Sequence, residues 1–404
     1  MVNADKRPEP AGGDRDHWDG LDSRYRLAFM DWLGCATAGA CERAARCARM
    51  ATDGLSGRVL AAGVAGHVLD FDDTYVPGLV HLSAPNAPVA LIFGAELDVT
   101  MGNVLEAYAD GFEAMAALAR RSHPPLYERG WHPTAVCGAV GAAVTAARLL
   151  GHAHDEVTGA SARLALVQAS GLRRAFGSDA KAIQVGAAAA AGLIAARLAS
   201  AGATVTDDLP TGPGGFEQAF GGSWAEPDSG CAVHENWIKA YPCCLQTHSP
   251  IEAVARASAR VRGVSRQPVT VAVHPRARQA APYDDVVDGL QAKFSIPYTV
   301  AYTLLHGPPA EPSCFHAVDP AARSLAAERV RVRLDESLPE TAAVVELRGE
   351  ALARVESATG SPAHPMTEDQ LSAKLRRLAG GRLDGILQES KALARDVLAA
   401  TELG

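Results

Sequence analysis

Apolar residues in the first 240 positions recur at intervals of three and four, which is the period of an amphipathic α-helix. In the predicted helix over residues 23–50 this spacing is given by Leu27, Phe29, Met30 and Leu33. Further helices are predicted over residues 55–69, 87–97, 102–120, 132–150, 154–170, 180–202 and 214–220. This part of the chain therefore predicts a block of helices with short breaks between them.

The pattern changes near Pro242, after which helices and strands are mixed. Residues 268–275 (PVTVAVHP) alternate between apolar and polar positions and predict a strand. Residues 328–338 and 342–357 alternate in the same way and predict a β-hairpin. Helices are predicted around these strands, over residues 249–261, 292–305 and 320–328, within 360–380 and onward to about 398.

This layout predicts a mainly α fold, in which a large all-helical domain carries an inserted, smaller α+β lid domain. The helical domain is expected to comprise residues 1–241 plus 362–404, and the lid domain residues 242–361. The boundary near residue 242 falls within residues 239–248 (KAYPCCLQTH), which carry a lysine and a histidine. Because clefts between domains are common ligand sites, we expect the functional groups to lie between the two domains.

Composition and charge exclude several classes of partner. The 404 residues carry a net charge of −8 without a basic run, which argues against nucleic acid. The longest apolar run, residues 185–196, is mostly Ala and Gly and too short to span a bilayer. The first twenty residues are polar and contain no secretory signal, which predicts a cytoplasmic protein with reduced cysteines. The cysteine spacings do not fit a zinc site, so no metal is expected.

Five segments combine charged or imidazole side chains with apolar surroundings. They are GHVLDFDDTYVPGLVHLSAPNAP (66–88), GWHPTAVCG (130–138), SDAKAIQVG (178–186), KAYPCCLQTH (239–248) and AKFSIPY (292–298). Burying a carboxylate costs several kcal/mol unless it is paired or hydrogen-bonded, so such clusters occur at helix caps, metals or proton-transfer sites. The carboxylates, histidines and lysines of the five segments suit acid–base chemistry on a small anion.

Taken in this order, the segments resemble the MmgE/PrpD family, which includes 2-methylcitrate dehydratase, cis-aconitate decarboxylase and iminodisuccinate epimerase. The resemblance covers about residues 25–400 and is carried by HxLDFDDT, GWHPTA, a Lys with a Gly five residues later, YPCCxxTH and KFSIxY. It implies a large helical domain, a smaller α+β lid, a homodimer, and no metal or organic cofactor.

The resemblance also implies the site residues. Catalytic roles fall on Asp70, His81, His132, Lys181 and Tyr298. We assign substrate binding to Thr74, Arg173, Gln184, Lys239 and His248. Two segments depart from the family's usual pattern: an HP pair is replaced by His81-Leu82, and KPLH is replaced by residues 181–184, which read KAIQ.

Each assignment competes with a purely structural interpretation. His132 titrates in the range that suits an acid or a base, but it also precedes Pro133 and could cap a helix. Lys181 could bind a substrate carboxylate or be a solvated residue of a first helical turn. Asp70 is a second base or a partner of His81 or Lys181. The hydroxyls of Thr74 and Tyr298 could hydrogen-bond substrate oxygens or have their partners within the core. His248 could line the site or hold the lid in place.

The implied chemistry is removal of a carbon-bound proton next to a carboxylate of a small substrate. The resemblance favours a lyase, with dehydration ahead of decarboxylation. An epimerase or isomerase is the enzymatic alternative, and a catalytically inactive relative that only binds a ligand is the alternative from another class.

Overall fold

Ten α-helices precede residue 221 in the computed structural model, which describes residues 21–153, 155–224, 231–262, 267–386, 390–401 and 403. They are α1 (Ser23–Gly39), α2 (Arg43–Ala51), α3 (Gly54–Val68), α4 (Ser83–Glu96), α5 (Met101–Ser122), α6 (Pro125–Glu128), α7 (Pro133–Leu149), α8 (Glu156–Gln168), α9 (Ala180–Ser200) and α10 (Phe216–Phe220). Their apolar faces share one large core. The mainly α fold predicted from the sequence is confirmed.

Glycine allows α9 to pack closely against both of its neighbours. A Cβ on Gly186 would clash with the Leu60 carbonyl oxygen of α3, and one on Gly192 would clash with the Ala139 carbonyl oxygen of α7. Since only glycine fits where two backbones approach this closely, these positions set the helix spacing. The packing brings the first turns of α7 and α9 to the same end of the block.

Two helix boundaries differ from the sequence prediction. The helix expected over 23–50 is two helices, because Glu42 is extended between α1 and α2. Helix α4 begins at Ser83 rather than 87, because Asp73 accepts hydrogen bonds from the Ser83 backbone N–H (3.1 Å) and hydroxyl (2.6 Å). A carboxylate at this position stabilises a helix start, and Pro85 is tolerated in the first turn.

The rest of the chain adds short strands and further helices. The strands are β1 (Thr74–Tyr75), β2 (Asn236–Trp237), β3 (Val269–Val273), β4 (Val330–Leu334), β5 (Ala343–Leu347) and β6 (Glu350–Val355). The helices are α11 (His248–Arg262), α12 (Pro275–Ala280), α13 (Gly289–Ala292), α14 (Ile296–His306), α15 (Pro320–Arg329), α16 (Glu368–Ala379) and α17 (Ala394–Ala399). Strands β1 and β2 pair antiparallel, and the other four form a sheet of order β4-β3-β5-β6.

The hairpin predicted between residues 328–338 and 342–357 is wrong. Strand β4 pairs in parallel with β3, and β3 lies between β4 and β5. The hairpin lies instead within 342–357, where β5 and β6 join through Arg348 and Gly349, both at positive φ. Alternation identified the strands, but it carries no information on which strands pair.

The end of the chain returns to the helical block. Helix α16 packs on α1, and α17 packs on α4. The continuous helix expected to residue 398 is wrong, because α16 ends at Ala379, where Gly380 adopts the left-handed conformation and Gly381 also has positive φ. The domain limits near residues 241 and 361 stay a prediction.

Helix α9 is the one helix in the described ranges that is long and apolar enough, by length and composition, to cross a membrane. In the structure 61% of its most apolar window is buried against other helices. Buried core helices meet the same criterion, so this helix is weak support for a membrane span.

A buried ion pair ties α16 to α1. The Lys374 ammonium lies 2.6 Å from the Asp31 carboxylate, and neither side chain has exposed area. Lys374 also donates to the backbone carbonyls of Phe71 (2.7 Å) and Lys239 (2.9 Å). Burial raises the pKa of Asp31 to about 6 even beside this cation. The end of the chain thereby holds the backbone at Phe71 and at Lys239 in place.

Replacing Lys374 with Met should lower the free energy of unfolding by about 3–5 kcal/mol, because it leaves the Asp31 carboxylate buried without its cation. Urea denaturation followed by circular dichroism measures this. The matched control is Arg376→Met on the same helix, whose side chain is 68% exposed, with an expected change within about 0.5 kcal/mol. Equal effects of the two variants would contradict a supporting role for the pair.

Candidate active site

The segment after α3 is held by three buried lysines from distant parts of the chain. Their ammonium groups donate to the backbone carbonyls of residues 69–71: Lys293 at 2.8 Å, Lys239 at 2.9 Å and Lys374 at 2.7 Å. Asp70 in this segment has a φ of 53°, a left-handed conformation that is uncommon for a residue with a Cβ. The surrounding contacts therefore hold a strained turn, which points the Asp70 carboxylate inward.

The Asp70 carboxylate pairs with two ammonium groups. Its Oδ1 lies 2.7 Å from Nζ of Lys181 and 3.2 Å from Nζ of Lys239. Lys181 also contacts Nε2 of His67 at 2.8 Å. Burial alone would raise the pKa of Asp70, but the two cations outweigh burial and hold this pKa well below its usual range. Asp70 is therefore ionised, and one carboxylate serves two cations.

Asp72 lies beside two imidazoles and is hydrogen-bonded to one of them, His67. Its Oδ2 lies 2.8 Å from Nδ1 of His67 and 3.1 Å from Nδ1 of His81. The backbone N–H of His81 donates to the Thr134 hydroxyl at 3.2 Å, which links this histidine to α7. Burial lowers the pKa of His81 to about 3, although Asp72 acts in the opposite direction. Both imidazoles are neutral near pH 7, because burial lowers the pKa of His67 as well.

His132 immediately precedes α7 and contacts α9. Its Nδ1 lies 2.6 Å from Nε2 of Gln184, and its ring meets the Phe176 ring edge to face at 4.9 Å between centroids. Its side chain does not cap α7, so the capping role considered above is absent. Burial, together with the nearby Lys181 charge, holds the pKa of His132 well below its usual value. The imidazole is therefore neutral.

These groups surround a cavity of about 70 Å³. A single water needs about 10–15 Å³ of such space, so the cavity holds a molecule of several atoms. Its walls are formed by Asp70, Thr74, Leu79, His81, Tyr127, His132, Thr134, Phe176, Lys181, Lys239, Cys244, Leu245, Gln246, Ala280 and Phe294. Residues from the helical block and from the segments after residue 238 thus share one cavity.

The electrostatics of the cavity suit an anion. Among its lining residues Lys181 and Lys239 are cationic and Asp70 is anionic, while the imidazoles are neutral. His132 directly precedes α7, Thr134 lies in its first turn, and Lys181 lies in the first turn of α9, so the positive ends of two helices lie at the wall. A bound carboxylate would resolve the unfavourable position of Lys181 in the first turn of α9.

His67, Asp70 and His81 offer three ligand atoms within 4.8 Å of one another, a spacing that could hold a metal ion. The Lys181 ammonium, however, already contacts Nε2 of His67 and Oδ1 of Asp70. A metal ion bound by these residues would have to displace this cation. The donor set as arranged therefore fits an ammonium group better than a metal.

The structure brings most of the predicted residues together. The cavity is lined by Asp70, Thr74, His81, His132, Lys181 and Lys239. Gln184 lies behind His132, and the Arg173 guanidinium lies 4.5 Å from the centroid of the Tyr127 ring, which lines the cavity. Gln184 and Arg173 are thus one residue removed from the cavity surface.

Two predicted residues, Tyr298 and His248, do not line the cavity. The Tyr298 hydroxyl accepts a hydrogen bond from the Asp319 backbone N–H at 2.9 Å, within an apolar cluster away from the cavity. His248 is fully buried at the start of α11, with Nε2 3.3 Å from the Cys243 carbonyl oxygen. Both side chains turn into the interior around α11 and α14, because the apolar positions of these helices face that core. Neither residue is assigned to the reaction below.

Sequence reasoning missed several residues of the site. His67 stands in the HxLDFDDT motif, yet no role was assigned to it, although it contacts both Asp72 and Lys181. The aromatic wall formed by Phe176 and Phe294 gave no signal, because single aromatic residues do not distinguish a cavity from a core. Lys293 lies in one of the five polar segments, which was a usable signal, whereas Lys374 lies outside all five and nothing else in the sequence marked it.

Comparison with known proteins identifies the family. The chain matches the models of the MmgE/PrpD N-terminal domain over residues 55–226 and of the MmgE/PrpD C-terminal domain over residues 241–400. The chain therefore belongs to the MmgE/PrpD family, which confirms the resemblance seen in its motifs.

Among curated proteins, the chain is similar to cis-aconitate decarboxylase from Aspergillus terreus, in two sequences of which one is from strain NIH 2624 / FGSC A1156. Each is 32% identical over 173 residues, which cover 39% of this chain and 35% of the relative. The chain thus matches about a third of the length of these relatives.

The buried histidines should make stability fall as the pH falls below about 6.5. The pKa values of His81 and His248 are lowered by burial to about 3. Between these values and about 6.5 the unfolded chain binds protons that the folded chain does not. Each such histidine therefore costs about 1.4 kcal/mol of unfolding free energy per pH unit as the pH falls through this window.

Urea denaturation from pH 7.5 to 5 measures this slope. His248→Gln should reduce the slope by one proton, since it removes one of the groups that the folded state keeps neutral. His364→Gln, in which the replaced side chain is exposed, is the matched control. A slope in the His248 variant equal to that of the wild type would show that His248 binds its proton equally in both states.

Proposed function

We propose that this chain is a lyase that acts on a small di- or tricarboxylate through a carbanion formed next to a carboxylate. The observation that carries the proposal is the sharing of the Asp70 carboxylate between Lys181 and Lys239 at the wall of a cavity lined with neutral imidazoles. The pair of ammonium groups binds an anion, and the imidazoles exchange protons with it.

Substrate binding falls to the cationic side of the cavity. A substrate carboxylate can accept hydrogen bonds from Lys181 and Lys239, which are already held by Asp70, and from the Thr74 hydroxyl, whose Oγ1 has no hydrogen-bond partner in the described residues. Arg173 contributes positive charge from behind Tyr127. Charges that are fixed before the substrate arrives need little rearrangement when negative charge develops.

His81 is the proposed base. Its Nδ1 lies 3.1 Å from the Asp72 carboxylate, whose negative charge favours the hydrogen on Nδ1 and so leaves a lone pair on Nε2, the nitrogen 3.9 Å from Oδ1 of the cavity residue Asp70. As the carbon–hydrogen bond breaks, Nε2 takes the proton, and the electron pair spreads onto the neighbouring carboxylate. In a dehydration the imidazolium then returns this proton to the departing hydroxide, which leaves as water.

Decarboxylation is the second candidate, because the chain is similar to cis-aconitate decarboxylase over part of its length. In that reaction the carbon–carbon bond to a carboxylate breaks, carbon dioxide leaves, and the carbanion takes a proton supplied by solvent water. The same cationic wall would stabilise the carbanion. The two reactions differ in which bond breaks, and their products distinguish them.

We also propose that the α+β part acts as a lid over the cavity. The helical block supplies Asp70, His81, His132 and Lys181, and the segments after residue 238 supply Lys239 and further wall residues. A substrate would therefore enter between the two parts. The proposal is supported by their joint lining of one cavity.

The proposed enzyme is a homodimer that pairs through α8 and α9. Apolar side chains are exposed on this face, with Val167 64%, Ile183 40%, Ile194 37% and Leu198 45% accessible. On α9 these residues fall at helical spacing on one side, and such an exposed apolar stripe typically marks a protein interface. No metal or organic cofactor is part of the proposal.

Proton NMR of the wild-type protein in D2O with citrate, 2-methylcitrate, cis-aconitate, malate and aspartate-derived acids tests the activity. We expect turnover of at least one acid, with an alkene product for dehydration, carbon dioxide release for decarboxylation, or deuterium exchange with inversion for epimerisation. Lys181→Met should lower kcat/KM by about 10²-fold or more, because it removes one of two cations beside the substrate.

The matched control is Arg174→Ala, which removes an exposed cation close to the site and should leave kcat/KM within about twofold. Binding of an acid without any exchange or product would support the inactive-relative alternative. An equal loss of kcat/KM in Lys181→Met and Arg174→Ala would show that Lys181 contributes only to the overall positive charge near the site.

Ile194→Lys should convert the dimer to a monomer, since it places a charge in the middle of the exposed apolar stripe. Light scattering after size exclusion measures the mass against the 42.1 kDa chain. Leu305→Lys, an exposed leucine at 42% on α14, is the control and should leave the mass unchanged. A wild-type protein that runs as a monomer would refute the proposed pairing.

A further inference from the structure

The side-chain amide of Gln184 lies between His132 and the backbone of residue 172. Its Oε1 accepts a hydrogen bond from the Leu172 N–H at 2.9 Å. Its Nε2 lies 3.3 Å from the Leu172 carbonyl oxygen and 2.6 Å from Nδ1 of His132. The amide therefore meets one donor, one acceptor and one imidazole nitrogen at the same time.

The contacts with Leu172 decide which way the amide points. Rotating it by half a turn would place the NH2 group of Gln184 against the Leu172 N–H, and its oxygen against the Leu172 carbonyl oxygen. Both backbone hydrogen bonds would be replaced by repulsive pairs. Because amide orientation is assigned from such networks, Nε2 of Gln184 is the atom that faces His132.

An NH2 group can only donate, so Nδ1 of His132 must accept this hydrogen bond through its lone pair. A neutral imidazole with a lone pair on Nδ1 carries its hydrogen on Nε2. We propose that Gln184 fixes His132 in this tautomer, so that His132 serves the reaction as a neutral hydrogen-bond donor and not as the base. The role rests on the proposed function, whereas the tautomer does not.

The Nε2–H of His132 is directed to the substrate by elimination. His132 lines the cavity, and within the described residues Nε2 makes no hydrogen bond. Full protonation of the ring is opposed on both sides: Nδ1 faces the Gln184 donor, and the Lys181 ammonium repels a second positive charge nearby. His132 therefore offers one hydrogen to the cavity and has no lone pair there to accept one.

In the reaction His132 keeps its hydrogen. When His81 takes the proton from carbon, negative charge develops on the oxygens of the adjacent carboxylate. A neutral donor directed at such an oxygen strengthens its hydrogen bond as the charge grows, which lowers the barrier without transferring a proton. Gln184 is thus a positioning residue, and His132 is the group that touches the substrate.

Nitrogen NMR of protein labelled with 15N-histidine tests the tautomer directly, because protonated and unprotonated ring nitrogens resonate in separate ranges. The His132 signals are those that disappear in the His132→Gln variant. In the ligand-free wild type we expect hydrogen on Nε2 and a bare Nδ1. A hydrogen on Nδ1 of neutral His132 would overturn the inference.

Gln184→Glu reverses the interaction at nearly constant shape. A carboxylate accepts from Nδ1–H, so the hydrogen of neutral His132 should move to Nδ1. Once a substrate is identified, kcat at pH 8 should fall by about 10²–10³-fold, the usual cost of losing one such donor. The loss should shrink at lower pH, where the carboxylate stabilises a doubly protonated His132 that again presents Nε2–H.

Gln246→Glu is the matched control, because Gln246 lines the same cavity and the structure gives it no hydrogen bond to His132. It adds the same charge and should leave the hydrogen on Nε2. Gln184→Met, which removes both amide groups, replaces Gln184→Glu if that variant does not fold, and should give a mixture of tautomers. An unchanged tautomer in both Gln184 variants would overturn the inference. Failure of every acid to turn over would count against the proposed function alone.

Discussion

The buried carboxylate of Asp70 is the interaction on which the site depends. A lone charge at this depth would be prohibitively unfavourable, and two ammonium groups from different parts of the chain compensate it at 2.7 and 3.2 Å. Lys181 comes from α9, and Lys239 comes from the segment that joins the helical block to the α+β part. Forming this ion triad therefore requires three distant segments to fold together, and the cavity exists only when they have done so.

The remaining buried lysines show how the chain holds that carboxylate in place. Lys293 and Lys374 donate to carbonyls of the turn around Asp70, and Lys374 is paired in turn with Asp31 on α1. Backbone carbonyls outside regular structure must find donors when they are buried. Here the donors are ammonium groups, so the buried carbonyls of the turn have hydrogen-bond partners and positive charge lies close to the cavity. The same contacts that stabilise the turn make the cavity suited to anions.

The sequence predicted the helices well because their apolar spacing is a local property, and it located the strands by alternation. It failed for the pairing of β4, which depends on contacts across about sixty residues. The five polar segments predicted a shared site, and the structure brings Asp70, His81 and Lys181 from them to one cavity. Tyr298 and His248 do not line that cavity, because a motif fixes position along the chain but not the direction of a side chain. Lys374 lies in an ordinary amphipathic helix, where nothing local separates it from a surface lysine.

Neutral imidazoles beside ammonium groups imply a division of labour. Burial, together with the positive charge of Lys181, lowers the pKa of His67, His81 and His132 and keeps these imidazoles neutral. A neutral imidazole can accept or donate, and its neighbour decides which: the Asp72 carboxylate leaves a lone pair on His81, whereas the Gln184 amide leaves a hydrogen on His132. In the proposed reaction, two identical side chains on one cavity thereby take opposite roles. Reactions that remove a proton and stabilise the resulting charge need both, so the residues behind the histidines determine the chemistry as much as the histidines themselves.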